Sequence, residues 1–247
     1  MGGRTPNPAH PSTRCLLVFT KPAIPGRVKT RLIGHLNPAS AARLHQALLG
    51  DLLTALEGGR FSVRVAVALE PRDALPAVRH PVVAAVDRQR GADLGERMLN
   101  ALTDAARGHD LVGVVGSDLP GLDADRVDDA FDQLERGADV VLGPTADGGY
   151  YLLAVRADRI DPALFAGVAW STGRVLEQTL ERCRKLGLRR AMLDTGRDID
   201  RPGDLEWLIE NLRAGRVESP RVAAWLRRRD AGLEGATARG AGVPRSA

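Results

Sequence analysis

The chain has 247 residues, 44% of them hydrophobic, and a formal net charge of +4, a composition ordinary for a globular protein. Its longest apolar runs are about five residues, which excludes a membrane-spanning helix. From Arg213 to the C-terminus eight arginines face three acids, a local +5 that leaves −1 for the remainder; without basic and aromatic residues interleaved, nucleic acid is not an expected partner.

Residues 1–13 are rich in Pro and Gly and lack the apolar core of a secretion signal. They are expected to be disordered, as is the basic tail 230–247, with 14–229 forming one domain. Cys15 and Cys183 lie far apart, in a strand pattern and a helix pattern, and read as small buried hydrophobes. A reducing cytoplasm fits that usage.

Residues 14–20 read as a first strand, and 21–32 as a loop whose two prolines and glycine forbid regular structure. Asn37-Pro38 caps a helix that places Leu44, Leu48, Leu52 and Leu56 on one face and stops at Gly58-Gly59. Residues 61–69 and 81–87 read as strands two and three. Asp93 opens a helix with Met98, Leu102 and Ala105 inside, followed by the central strand 111–116. A helix carrying Val127, Phe131 and Leu134 comes next. Residues 138–142 and 150–155 are strands around the loop 143–149. Ser171 is placed to cap a helix over 172–186, and 190–193 is a last short strand. Asp200 is the natural cap of a helix carrying Leu205 and Leu208, and Ser219-Pro220 begins another with Val222 and Trp225. Strands alternating with helices predict a mainly parallel α/β sheet covered on both faces.

The central strand ends in Gly116-Ser117-Asp118-Leu119-Pro120, which puts a carboxylate where ligands of open parallel sheets sit; a plain turn is the competing reading. Of 35 basic residues only three are lysines. Two of them, Lys21 and Lys29, share the loop after strand one with Gly26, Arg27 and Arg31, a set suited to a di- or triphosphate. This loop matches neither a P-loop nor the dinucleotide fingerprint. Gly91 and Gly95 allow close backbone approach before a helix bearing Arg97, for which an ion pair with Asp93 is the alternative. Asp147 and the glycines 148 and 149 precede Tyr150 and Tyr151, the only tyrosines; Asp147 is a candidate base or acceptor-orienting group, or else the corner of a tight turn. Asp194, Asp198 and Asp200 cluster before a helix. Mg²⁺ takes one or two carboxylates plus substrate phosphates, so Asp118 with Asp198 or Asp200 is a candidate pair. His35, His45, His80 and His109 show no ligand spacing.

Together the segments 21–32, 91–98, 116–122, 143–153, Trp170-Ser171-Thr172 and 198–205 resemble the DUF2064 group of GT-A-type nucleotide-diphospho-sugar transferases, a group associated with radical-SAM or arsenosugar gene clusters. The resemblance covers about residues 14–213. It implies a three-layer Rossmann-like GT-A fold with a mainly parallel mixed sheet, and a nucleotide bound over the first strands together with Mg²⁺ or Mn²⁺. By motif position Asp118 and Asp200 match the metal acids, with Asp198 a near competitor. Lys21, Gly26, Arg27, Lys29, Arg31, Gly91, Arg97 and Ser117 would bind nucleotide and phosphates, and Gly148, Gly149, Tyr150, Trp170 and Ser171 the substrate. One departure is Arg201 and Gly203 where the group's motif has Thr and Glu. The expected activity is glycosyl transfer from a nucleotide sugar to a small-molecule acceptor. The cationic loop makes nucleotidyl transfer from an NTP the alternative, and a non-catalytic nucleotide-sugar-binding protein is a third.

Overall fold

The structure is a computed structural model and describes residues 13–232; the terminal expectations for 1–12 and 233–247 lie outside the described residues. Seven strands form one sheet in the order β3-β2-β1-β4-β6-β5-β7: β1 (Arg14–Thr20), β2 (Ser62–Val67), β3 (Val83–Arg88), β4 (Leu111–Gly116), β5 (Val140–Pro144), β6 (Tyr150–Arg156) and β7 (Arg190–Met192). β1, β2, β3 and β4 are parallel. β6 runs antiparallel to both neighbours, and β7 pairs parallel to β5.

β1 is buried along its whole length and β4 along all but its last residue, as strands covered on both faces must be. One face packs Leu52 and Leu53 of α1 (Pro38–Ala55), Leu56 just after it, and Val127, Phe131 and Leu134 of α3 (Ala124–Glu135). The other packs Met98 and Leu102 of α2 (Leu94–Ala105) and Cys183 of α4 (Val175–Lys185). Both cysteines are buried and unpaired. A third apolar cluster joins the outer side of α1 to α5 (Pro202–Arg213) and α6 (Pro220–Asp230) through Leu44, Leu208 and Trp225. Among the described residues no helix is long and apolar enough to cross a membrane.

The caps show local chemistry at work. Asn37 and Asp93 accept the Ser40 and Glu96 amides at 2.7 and 2.8 Å, as expected from sequence. Two expectations change. α4 begins at Val175, not 172, because Ser171 sits in left-handed backbone (φ 63) and cannot start a helix. Asp200 does not cap α5: the Asp204 carboxylate accepts the Arg201 and Asp200 amides at 2.8 and 3.3 Å, which leaves the Asp200 side chain for other partners. Asp51, on the side of α1 that faces α6, takes the same role for α6. It accepts from Ser219 Oγ at 2.6 Å and from the Arg221 and Val222 amides at 2.9 and 3.0 Å.

Candidate active site

At the carboxyl rim of the sheet, β1 ends at Thr20 and β4 runs into Ser117 and Asp118. The two ends are tied by Ser117 Oγ donating to Thr20 Oγ1 at 3.1 Å. The segment 194–200 is then stitched across the rim. Gly196 N donates to Pro144 O at 2.8 Å and Ile199 N to Asp118 O at 3.0 Å. Ile199 is fully buried in the third apolar cluster. Asp198 and Asp200 flank Ile199, and Asp198 lies close enough to feel the charges of Asp118, Asp147 and Asp200.

A lysine completes the junction. Lys29 adopts left-handed backbone (φ 49, ψ 37), a conformation that costs about 1 kcal/mol outside glycine. Its side chain is only 2% exposed. Nζ donates to Ile199 O at 2.5 Å and lies 2.8 Å from Asp118 Oδ1. One buried cation thus joins the β1–α1 loop, the end of β4 and the segment before α5. His45, also buried, sits on the other side. Its Nδ1 is 3.5 Å from Asp118 Oδ1 and its Nε2 faces Thr20 Oγ1 and Lys21 O at 3.1 and 3.0 Å. Asp118 Oδ1 is sealed between Lys29 and His45, yet 38% of the side chain remains open; that opening belongs to the side carrying Oδ2.

The electrostatics follow from this placement. Burial works to raise the Asp118 carboxyl, but the Lys29 ammonium and the His45 ring outweigh it and hold the group well below the usual carboxylate range. Asp198 has the opposite fate. Burial first, then the Asp118 charge, push its pKa up to about 7; Lys29 opposes the shift while Asp147 and Asp200 add to it. Asp200 has its own cation, Arg31, in direct contact. Asp198 therefore reports four acids crowded at one rim with two cations already committed to Asp118 and Asp200. Among the described residues no three His, Cys, Asp or Glu side chains form a ready-made metal cage. The donor chemistry nonetheless suits a divalent ion completed by phosphate oxygens, which needs only one or two carboxylates from the protein.

The other predicted residues divide. Arg27 pairs with Glu70 and Asp73 at 3.4 and 3.1 Å, and Lys21 is exposed. Gly26 has a positive φ of 83° with open space around it. Arg97 turns its Nε to Gly91 O at 3.1 Å, so it braces the turn before α2 and makes no ion pair with Asp93. Ser117 is buried in its bond to Thr20. Asp147 is exposed, and its Oδ1 accepts from Thr145 Oγ1 and Gly149 N at 2.6 and 3.2 Å; it builds its turn and also contributes charge at Asp198. Gly148 (φ 87) lies where a Cβ would come within 2.1 Å of Gly173 O, so this glycine lets two loop backbones touch. Tyr150 turns its hydroxyl inward toward Thr179, and burial raises its pKa. The Trp170 indole rests against α2 at Gly95, where a Cβ would meet Nε1 at 2.4 Å. Ser171 is exposed in strained backbone beside it.

His45 is the residue that sequence reasoning passed over. It carries no ligand spacing, and its signal is different: a polar side chain among Ala41, Leu44, Leu48 and Leu52 on the buried stripe of α1.

Known proteins bear on this arrangement. The DUF2064 profile, described as an uncharacterized protein conserved in bacteria, matches residues 52–172. A phosphoenolpyruvate guanylyltransferase of Sphaerobacter thermophilus is 34% identical over 193 residues, 76% of this chain and 89% of the relative. The chain belongs to the DUF2064 family. A 3-phospho-D-glycerate guanylyltransferase of Phenylobacterium zucineum is 35% identical over 185 residues, covering 71% of this chain and 81% of the relative. Among solved structures, a provisionally designated nucleotide-diphospho-sugar transferase from Desulfovibrio desulfuricans G20 superposes with a TM-score of 0.80 at 33% identity, covering 89% of this chain and 96% of that one. A cytidylyltransferase from Leptospira borgpetersenii shares the fold, with a TM-score of 0.55 at 13% identity over 95% of this chain and all of that one. The expected α/β fold of nucleotide-diphospho-sugar transferases is thus the observed one, and nucleotide-dependent transfer is the chemistry these relatives have in common.

Proposed function

We propose that this DUF2064 member is a nucleotidyltransferase, moving a nucleoside monophosphate, guanylyl first, from an NTP onto a small acidic acceptor with release of pyrophosphate. The observation that carries the reading is the gathering of Asp118, Asp147 and Asp200 about Asp198 at the sheet rim, with buried Lys29 against Asp118, beside a loop that offers Lys21, Arg27 and Arg31. Both curated relatives are guanylyltransferases, which favours nucleotidyl over glycosyl transfer. Glycosyl transfer stays as the second reading because the solved relative at 33% identity carries the sugar-transferase designation.

In this reaction an acceptor oxygen attacks the α-phosphorus, and the bond from that phosphorus to the bridging oxygen of pyrophosphate breaks. Negative charge grows on the departing pyrophosphate. Phosphate oxygens entering beside Lys29 and Arg31 compete with Asp118 and Asp200 for those cations. The carboxylates so released, with Asp198, are the residues that would hold a divalent ion. Such an ion, when bound, supplies Lewis-acid neutralisation of the phosphate oxygens. His45 and Ser117 keep the ends of β1 and β4 in register, so Asp118 presents Oδ2 outward. Asp147, at the corner of its turn, would orient the acceptor.

The test is turnover of the purified chain with each of GTP, CTP, UTP and ATP, with Mg²⁺ or Mn²⁺ and phosphoenolpyruvate or 3-phospho-D-glycerate, read as pyrophosphate release. Pyrophosphate formation that depends on acceptor and is lost in Asp118→Ala is expected. Release of a nucleoside diphosphate from a nucleotide sugar, with no pyrophosphate from any NTP, would overturn the reading in favour of glycosyl transfer. Tight donor binding without turnover would favour a non-catalytic binding protein.

A further inference from the structure

One polar side chain at the rim has no part in the transfer chemistry described above. Gln89, half-buried, is the first residue after β3. Its backbone N–H donates to Val67 O at 2.9 Å. Its Nε2 donates to Ala66 O at 2.8 Å and reaches Thr20 O at 3.4 Å. A single side chain thus spans the ends of β2 and β1. Reversing the amide would set its oxygen against two carbonyl oxygens, so Nε2 is committed to the strands and Oε1 is turned away from them. Among the described residues no donor reaches Oε1. Nor is it one of the sealed atoms without a partner, which are Asp118 Oδ1, Tyr150 Oη and Thr179 Oγ1; Oε1 therefore opens to solvent. The chain that follows is pinned by α2, where Asn100 Nδ2 donates to Arg90 O at 2.9 Å and Arg97 Nε to Gly91 O at 3.1 Å. The free acceptor is held in place before any ligand arrives.

Thr20, which Gln89 reaches, is also tied to Ser117, the neighbour of Asp118. Strands lie about 4.8 Å apart, so two spacings along the rim separate Oε1 from Asp118 by roughly 10 Å. That is the span of a nucleotide from its phosphates to its base. We infer that Gln89 reads the base of the bound nucleotide and selects guanine; the inference rests on the rim being a nucleotide site. Guanine carries N1–H and the 2-amino group side by side, two donors for the two lone pairs of one carbonyl oxygen. Adenine sets a bare ring nitrogen at the same place, and its lone pair would face those of Oε1. Cytosine does the same, and uracil offers one N–H between two carbonyls. An acceptor with no donor to spare therefore favours guanine over the other three bases.

The test is binding of GTP, ITP, ATP and inorganic tripolyphosphate to the full chain, by isothermal titration calorimetry with Mg²⁺ and no acceptor. The wild type is expected to bind GTP about tenfold or more tighter than ATP, with ITP, which lacks the 2-amino group, in between. That order needs no variant. Gln89→Met keeps the length of the side chain and loses the acceptor; it should bring GTP down to the level of ATP, while tripolyphosphate binds as it does to the wild type. Circular dichroism and thermal unfolding verify the fold. The inference is overturned if the wild type does not prefer GTP to ATP, or if Gln89→Met keeps the wild-type preference. It is equally overturned if tripolyphosphate weakens as much as GTP, the loss expected of a glutamine that only braces strand ends. Turnover is read separately. Pyrophosphate release with base choice unchanged in Gln89→Met would sink the role of Gln89 and leave the transferase reading standing. Selective GTP binding that Gln89→Met abolishes, with no pyrophosphate from any NTP, would do the reverse.

Discussion

Replacing Asp198 with Asn should stabilise the ligand-free protein in a pH-dependent way. In the folded chain the Asp198 carboxyl is pushed up to about 7 by burial and by the Asp118 charge, whereas an unfolded aspartate titrates near 3.9. Between those values the folded state holds a proton that the unfolded state has lost, so the residue's contribution to stability declines as pH rises from about 4 to about 7 and is flat above. A shift of roughly three units corresponds to at most about 4 kcal/mol. Asp198 is half-buried rather than sealed, and solvent screening brings the working figure to about 2 kcal/mol. Asparagine keeps the shape and cannot ionise. Urea unfolding with EDTA should therefore show the variant matching wild type near pH 4.5 and exceeding it by about 2 kcal/mol at pH 8, or about 4–8 °C in Tm. The same variant should lose transferase activity and affinity for a divalent ion, the trade expected where a binding site stores unfavourable charge. A variant less stable than wild type at pH 8, or an equal difference at both pH values, would refute the electrostatic account.

Lys29→Met should cost about 3–5 kcal/mol in urea unfolding, because it strands a buried carboxylate oxygen; adding Asp118→Asn should recover much of that loss in a double-mutant cycle. Asp51→Ala removes the acceptor of three donors at the start of α6, and we expect a loss of about 2–4 kcal/mol with faster amide exchange in α6. Gly148→Ala meets both a positive φ and the Gly173 carbonyl, so destabilisation of about 2 kcal/mol or more is expected by thermal unfolding. The analogous Gly203→Ala, with open space around it and no positive φ, should be near neutral in the same assay.

Much of the architecture was readable because its signals are local. Gly and Pro punctuate the chain, Asn37 and Asp93 announce their helices, and a buried β4 ending in Asp118 marks the sheet rim. Other features depend on partners distant in sequence. The inward turn of Lys29 needs the Ile199 carbonyl, 170 residues away, and no composition argument separates that lysine from the exposed Lys21. The glycines of 143–149 read as room for a ligand, yet a Cβ at Gly143 would lie 2.3 Å from the Tyr151 ring and one at Gly148 would strike Gly173. Two of these glycines make room for the protein itself. Asp200 reads as a helix cap until Asp204 is seen doing that work one turn later.

That last displacement matters for the site. Had Asp200 capped α5, its carboxylate would be spent on backbone amides, and only Asp198 would face Asp118 from that segment. With Asp204 as the cap, both acids flanking Ile199 are available, and Arg31 takes the outer one. The rim then holds two matched pairs, Lys29 with Asp118 and Arg31 with Asp200, and an unmatched Asp198 between them. Matched pairs alone would be a structural brace, worth little at the exposed Arg31 and more at buried Lys29. The surplus acid is what a brace does not need. A carboxyl kept at the edge of ionisation near neutral pH is a cost to the fold that a cation-bearing ligand would relieve, and it lies where the ends of β1 and β4 meet the phosphate-loop candidates.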